Sequence, residues 1–240
     1  MNTSYLDLPP VTWKWREMEP EYRDGWSFNY FVQSIAKEWA KIKPSGAALD
    51  IGTGIGGCAQ ALASCGLDVT AVDIDTNVLA DADKLALSRN YEINFQQASM
   101  FDLPFADSSF KFVTFPNTVY LTNTPGMIKA IREAIRVLEP DGVFYANFIS
   151  KNDELYKNRK SYNVEIIDEN TLAVKTSEDS QEFYCFSNKN DLRKLFPSFI
   201  LNIRKDSDRE NGQQFLDVVG LKTNEIGLRK FIMQLMARVI

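Results

Sequence analysis

Residues 47–75, AALDIGTGIGGCAQALASCGLDVTAVDID, limit what this chain can fold into more than any other stretch. A short apolar strand over Ala47 to Ile51 runs into a loop with glycines at 52, 54, 56 and 57. A helical segment, Cys58 to Ser64, follows, and Gly66 marks its stop. A second apolar strand, Val69 to Val72, is closed by Asp73. Strand, glycine turn, helix and strand make a βαβ unit, which commits the chain to a parallel α/β sheet. Glycines let the backbone turn sharply and let a ligand reach main-chain N–H groups with no Cβ in the way. The helix N-terminus facing that loop adds unpaired N–H donors. An acid at the carboxyl end of the second strand, Asp73, is placed to accept hydrogen bonds from the two hydroxyls of a ribose. The unit reads as a nucleoside-cofactor site, with Thr53 in the loop and Ile74 beside Asp73 as further candidate contacts.

Gly52, Gly54 and Gly57 also satisfy the dinucleotide spacing G-x-G-x-x-G, so an NAD-dependent oxidoreductase is an alternative. That match alone is weak. A pyrophosphate over the loop would be repelled by Asp50, two residues before the first glycine. S-adenosylmethionine has no phosphate, carries a sulfonium and an ammonium, and tolerates a nearby carboxylate. The pattern Asp-x-Gly-x-Gly-x-Gly over residues 50–56 resembles the first motif of the class I S-adenosylmethionine-dependent methyltransferases.

Later segments carry the same resemblance. In ASMFDLPFADSSFKFVTF, residues 98–115, a strand end is followed by a Leu-Pro-Phe turn and a fourth strand. The resemblance implies adenine contacts from Ser99 and the backbone of Met100. Many relatives carry an acid at the Ser99 position, so Ser99 binds without charge assistance, and Asp102 is a possible replacement. Lys111 stands where relatives commonly carry Asp, at a position expected to face solvent. RVLEPDGVFYANF, from Arg136 to Phe148, resembles the family's turn into its fifth strand, with Asp141 where Gly is usual. Asp tolerates that turn geometry. Arg132, Glu133 and Arg136 read as a solvated helix face.

The family implies a Rossmann-like fold: a mostly parallel seven-stranded sheet with an antiparallel last strand, helices on both faces, an N-terminal helical lid and a small β insertion. Mapped on this chain, residues 46–222 form the core of a single domain, with the insertion at about 150–187. Residues 1–45 form an aromatic lid and 223–240 an amphipathic helix. From Ser27 to Ile42, apolar Tyr30, Phe31, Ile35, Trp39 and Ile42 recur at helical spacing. Trp13, Trp15, Trp26 and Tyr30 are candidate pocket walls, and each is equally a core-packing ring. Thr76 to Asn90 reads as a helix capped near Thr76 or Asn77. Within the insertion, Tyr162, Phe183, Tyr184 and Phe186 line either a pocket or the apolar side of a small sheet.

Asp50, Gly52, Gly54 and Gly56 are thus expected at the methionine end of the cofactor, Asp73 at its ribose, and Asn117 at both cofactor and acceptor. Strand ends of an open α/β sheet are where ligands meet side chains, so Asn117 and Tyr120 after the fourth strand join Tyr30 as candidate methyl-transfer residues. Pro116-Asn117 is also ordinary turn chemistry. The segment lacks the Asn-Pro-Pro-Tyr that holds planar amides and amino groups.

Composition narrows the chemistry. The chain has no histidine among 240 residues, so a substrate proton must go to a carboxylate, Tyr, Cys, Lys or water. A formal charge of −5 and pI near 5.0 disfavour a nucleic-acid partner. Three cysteines without metal-like spacing fit a reducing cytoplasm and no metal site. No apolar run nears the roughly 20 residues that cross a bilayer, so no membrane partner is expected. The expectation is an enzyme, monomer or homodimer, that methylates a small-molecule acceptor using S-adenosyl-L-methionine. A non-catalytic module binding the same cofactor is the other alternative.

Overall fold

The computed structural model describes residues 27–41, 46–177, 180–206 and 213–223, and side chains of the first segment from residue 32. Of the expected lid over 1–45, residues 1–26 and 42–45 and the Tyr30 and Phe31 side chains lie outside the described residues, as does 224–240 of the expected C-terminal helix.

The βαβ unit forms as its sequence dictates: β1 (Ala47–Ile51), α2 (Gly57–Ala63) and β2 (Asp68–Asp73), preceded by α1 (Ser27–Ala40). Then come α3 (Thr76–Ser88), β3 (Asn94–Gln97), β4 (Phe110–Phe115), α4 (Thr124–Val137) and β5 (Leu138–Ser150). The cap of α3 is Asp75 rather than Thr76 or Asn77, because its carboxylate accepts from the backbone N–H groups of Asn77 and Val78. The chain continues through α5 (Glu154–Lys157), β6 (Val164–Ile166), β7 (Thr171–Lys175) and β8 (Gln181–Ser187). It closes with α6 (Lys189–Leu195), β9 (Phe199–Asp206) and β10 (Phe215–Lys222).

Strands β3-β2-β1-β4-β5 are parallel neighbours. β10 runs antiparallel to β5 and β9 antiparallel to β10, which completes the expected seven-stranded sheet. Order reverses at β1/β4, the point where open α/β sheets open a ligand crevice at their carboxyl ends.

Alternating strand residues split the core in two. Ala48, Ala71, Phe112 and Tyr145 pack with Val32, Ile35 and Trp39 of α1 and Cys58 and Leu62 of α2. Leu49, Val113, Phe115, Phe144 and Phe148 pack with Met127 and Ile131 of α4 and Leu192 of α6 on the other side. Trp39 is 1% exposed. Its burial explains the helical spacing of apolar residues in α1.

The insertion is the antiparallel sheet β6-β7-β8, joined to the end of β5 through Ile149–Phe186 and Ser150–Ser187 pairs. Phe183 and Phe186 are buried in it, Tyr184 is half-buried, and Tyr162 is exposed. Phe183 and Phe186, three residues apart on β8, are thus core-packing rings on its two faces. No helix among the described residues is long and apolar enough to cross a membrane.

Glu133 and Arg136 are not merely a solvated face, although Arg132 is exposed. Glu133 Oε2 accepts from the Leu103 N–H at 3.0 Å, and Arg136 donates to the carbonyls of Phe105 and Leu103 at 2.7 and 3.0 Å. Arg136 also pairs with Asp107 and Glu133. The bonds pin the Leu-Pro-Phe turn to α4, a tertiary use that helical spacing cannot reveal.

Candidate functional site

The glycine loop after β1 is held in a shape that requires glycine. Gly52, Gly54 and Gly56 have φ of 66°, 55° and 83°, in the left-handed region. A Cβ on Gly52 would also lie 2.4 Å from the Thr118 side chain. Backbone N–H groups of Gly52 and Thr53 both donate to the Val72 carbonyl, at 2.8 and 3.0 Å. The loop is thereby tied to the end of β2, and α2 starts from Gly56.

Asp50 lies beneath this loop with 0% exposure. Its carboxylate accepts from the hydroxyls of Thr53 and Thr114, each at 2.7 Å. Burial pushes its pKa up to about 6, opposed by bonds from Thr53, Thr114, Cys58 and the Ala59 N–H at the start of α2. Asp50 is therefore a support for the loop and the helix N-terminus, not part of the loop's surface. Burial also pushes the Cys58 thiol well up, with the Asp50 charge adding to it, so Cys58 is no nucleophile at neutral pH.

Asp73 sits at the end of β2, facing the loop. One carboxylate oxygen accepts from Gly54 N–H at 2.9 Å and the other from Asp75 N–H at 3.1 Å. Burial raises its pKa, and the N–H groups of Asp75, Gly54 and Ile74 oppose that rise. Each oxygen keeps acceptor capacity, so a ribose diol can still bind. Ile74 beside it is 44% exposed, an apolar surface at the cleft edge suited to the face of a flat ring. Across β3, the Ser99 hydroxyl accepts from Phe101 N–H at 3.2 Å, and Met100 is half-buried against the core. Asp102 is exposed.

The loop leaving β4 brings Asn117 and Tyr120 together. Asn117 has φ 52°, a conformation Asn tolerates, as the turn reading of this segment expects. Asn147 of β5 accepts from Asn117 N–H at 2.5 Å and donates to Asn117 Oδ1 at 2.7 Å. The Tyr120 hydroxyl donates to the same Oδ1 at 3.4 Å. Tyr120 is 3% exposed and packs on the Phe215 ring. Asn147 and Thr114, fully buried, were missed by sequence reasoning. The signal that could have found them is a polar residue inside an otherwise apolar strand.

The arrangement fits a phosphate-free nucleoside. Residues 50–57 contain no Lys or Arg to balance a pyrophosphate, and the cleft edge offers a carboxylate and an apolar side chain. Among the described residues, no group of three or more His, Cys, Asp or Glu is placed to hold a metal ion.

Comparison with known proteins agrees. A methyltransferase domain family matches residues 48–142. The ubiquinone/menaquinone biosynthesis C-methyltransferase UbiE of Rickettsia felis is 33% identical over 160 residues, covering 62% of this chain and 62% of the relative. The chain thus spans less than two thirds of that relative's length. A SAM-dependent methyltransferase from Methanosarcina mazei superposes with TM-score 0.65 at 23% identity, covering 75% of this chain and 94% of its own. The PH0226 protein of Pyrococcus horikoshii gives TM-score 0.66 at 22% identity, covering 88% and 100%. These two share the fold. The glycine loop and the reversal of strand order lie within the stretch that matches the methyltransferase domain family, residues 48–142, so this part of the chain is similar to class I S-adenosylmethionine-dependent methyltransferases.

Proposed function

We propose that this protein is an enzyme that transfers the methyl group of S-adenosylmethionine to a small-molecule acceptor, within a single domain whose core is residues 46–222. The observation that carries the reading is the glycine loop with Asp73 facing it, Asp73 Oδ2 being 2.9 Å from the Gly54 N–H. The cofactor supplies an electrophilic methyl on a sulfonium. Asp73 holds the ribose, Ile74 covers the adenine face, and Ser99 and Met100 border its edge. Gly52, Thr53, Gly54 and Gly56 leave room for the methionine end, while Asp50 fixes the loop from below through Thr53. Asn117, locked by Asn147, orients the reacting groups beside Tyr120. Holding nucleophile and methyl in line supplies most of the acceleration such a site can give.

The name of the Rickettsia felis relative supports an aromatic acceptor of the quinol type, methylated at carbon. Two measurements test the reading. Calorimetry should show binding of S-adenosylhomocysteine and none of NADH; the reverse would restore the oxidoreductase. Labelled methyl from S-adenosylmethionine should then appear on a member of a panel of hydroquinones, phenols and amines. Cofactor binding with no transfer to any of them would favour the non-catalytic module.

A further inference from the structure

The carboxyl end of β5, the turn from β8 into α6 and the paired strands β9 and β10 border a cavity of about 340 Å³. Its floor is Leu216, 4% exposed, whose neighbour Asp217 is the register partner of Asn147. Successive strand residues point to opposite faces, so the cavity lies on the other face of the sheet from the bonded Asn147 and Asn117 side chains. No residue assigned to the cofactor lines it.

Bonds already made decide what the wall can offer. Asn188 Oδ1 accepts from the N–H groups of Asn190 and Asp191 at 2.8 and 3.0 Å, and Asn190 Oδ1 accepts from Arg193 at 3.3 Å. Each amide spends its oxygen on α6 and keeps N–H groups for a ligand. Ser150, 2% exposed, accepts from the Asn152 N–H at 3.0 Å through Oγ and keeps its O–H as a donor. Lys189 and Lys205 add two exposed ammonium groups, with no ion-pair partner among the described residues. Asp191, in the first turn of α6, is taken by Lys151 at 3.0 Å and by the Asn188 N–H at 3.1 Å. No Asp or Glu lines the cavity. In a chain of net charge −5, this is a cationic, donor-rich wall over an aliphatic floor.

We propose that this cavity binds a small organic anion, with its carboxylate or phosphate group on Lys189, Lys205 and the two amides and its apolar body on Leu216. It is a second ligand site, and it does not depend on which acceptor is methylated. An oxyanion brings acceptors alone and so meets every donor of the wall, whereas an ammonium would set donors against donors. A bare inorganic anion would leave Leu216 and the lysine stems without contact, so an apolar body adds affinity. The volume lies near the lower end of ordinary ligand pockets, about 300–1,000 Å³, which suits a ligand of one ring.

The test titrates the full chain, at neutral pH and low salt, with benzoate, phenyl phosphate and inorganic phosphate while backbone amide shifts are followed by NMR. Benzoate or phenyl phosphate should move the amides of Ser150, Lys189, Asn190 and Lys205 and leave those of Gly54 and Asn117 in place. The tighter of the two identifies the anionic group. Inorganic phosphate should bind about five-fold more weakly or worse. The double variant Lys189→Gln, Lys205→Gln should lose about ten-fold or more of the affinity for the organic anion. Both side chains are exposed, so the core is untouched, and calorimetry should show S-adenosylhomocysteine binding unchanged. Shifts centred on Asn117, equal affinity in the double variant, inorganic phosphate binding as tightly as the organic anions, or no shifts with any of the three would overturn the site. None of these outcomes bears on the cofactor reading.

Discussion

Asp50 shows how a buried charge can serve a site it does not touch. Two threonine hydroxyls and a helix-start N–H answer its carboxylate, yet burial still dominates and holds its pKa near 6 against an ordinary 3.8. As pH rises, the unfolded chain releases this proton first, so the folded state favours the protonated form. The stability Asp50 contributes is complete below about pH 4, declines as pH rises through about 6, and is level above. Asp50→Asn removes that dependence. The stability of wild type relative to the variant should fall by up to about 3 kcal/mol across this window, measured by urea melts at several pH values. A difference that stays constant with pH would contradict the assignment. Asp73 is the opposite case, an acid at the cleft edge that is proposed to meet the ribose. Asp73→Ala should weaken S-adenosylhomocysteine binding by about 1.5–3 kcal/mol in calorimetry, the scale for lost hydrogen bonds to a charged group. Unchanged affinity would remove Asp73 from the ribose.

At the scale of elements, the loop between β1 and α2 combines a fixed backbone with an obstructed neighbour. Gly52→Ala asks a residue with a Cβ to adopt φ 66° and to displace Thr118 at 2.4 Å. It should cost about 1–3 kcal/mol of stability in thermal or urea melts and weaken cofactor binding with it. A variant as stable as wild type would mean the loop is not held as described. The Leu-Pro-Phe turn is anchored differently, by α4. Arg136→Ala removes bonds to the Phe105 and Leu103 carbonyls, so amide exchange at residues 103–107 should quicken, with about 1–2 kcal/mol lost overall. Unaltered exchange there would show the turn standing alone. These two elements differ in legibility. The glycine loop was readable because backbone geometry selects residue type locally. The Arg136 clamp was not, because the carbonyls it answers lie about 30 residues away, and a charged residue on a helix reads the same whether it meets water or a distant turn.

Over the whole molecule, the βαβ unit and a small β insertion were readable from period and turn chemistry, and the antiparallel last strand from the family resemblance. The partners of the site residues were not. Asn147 and Thr114 stand out as polar residues in apolar strands, but their pairing with Asn117 and Asp50 follows from where β5 and β4 lie in the sheet, which hydrophobic pattern does not encode. Order of strands sets where these pieces meet: the reversal at β1/β4 places the glycine loop, Asp73 and the Asn117 turn on one rim, with the insertion bonded beside that turn through Cys185 N–H and the Tyr120 carbonyl. The central claim is that a phosphate-free sulfonium nucleoside occupies that rim. A crystal structure of the protein with S-adenosylhomocysteine tests it most directly. The account predicts ribose hydroxyls on the Asp73 carboxylate and sulfur on the Asn117 side of the loop; a cleft left empty, or a ligand bound away from Asp73, would contradict it.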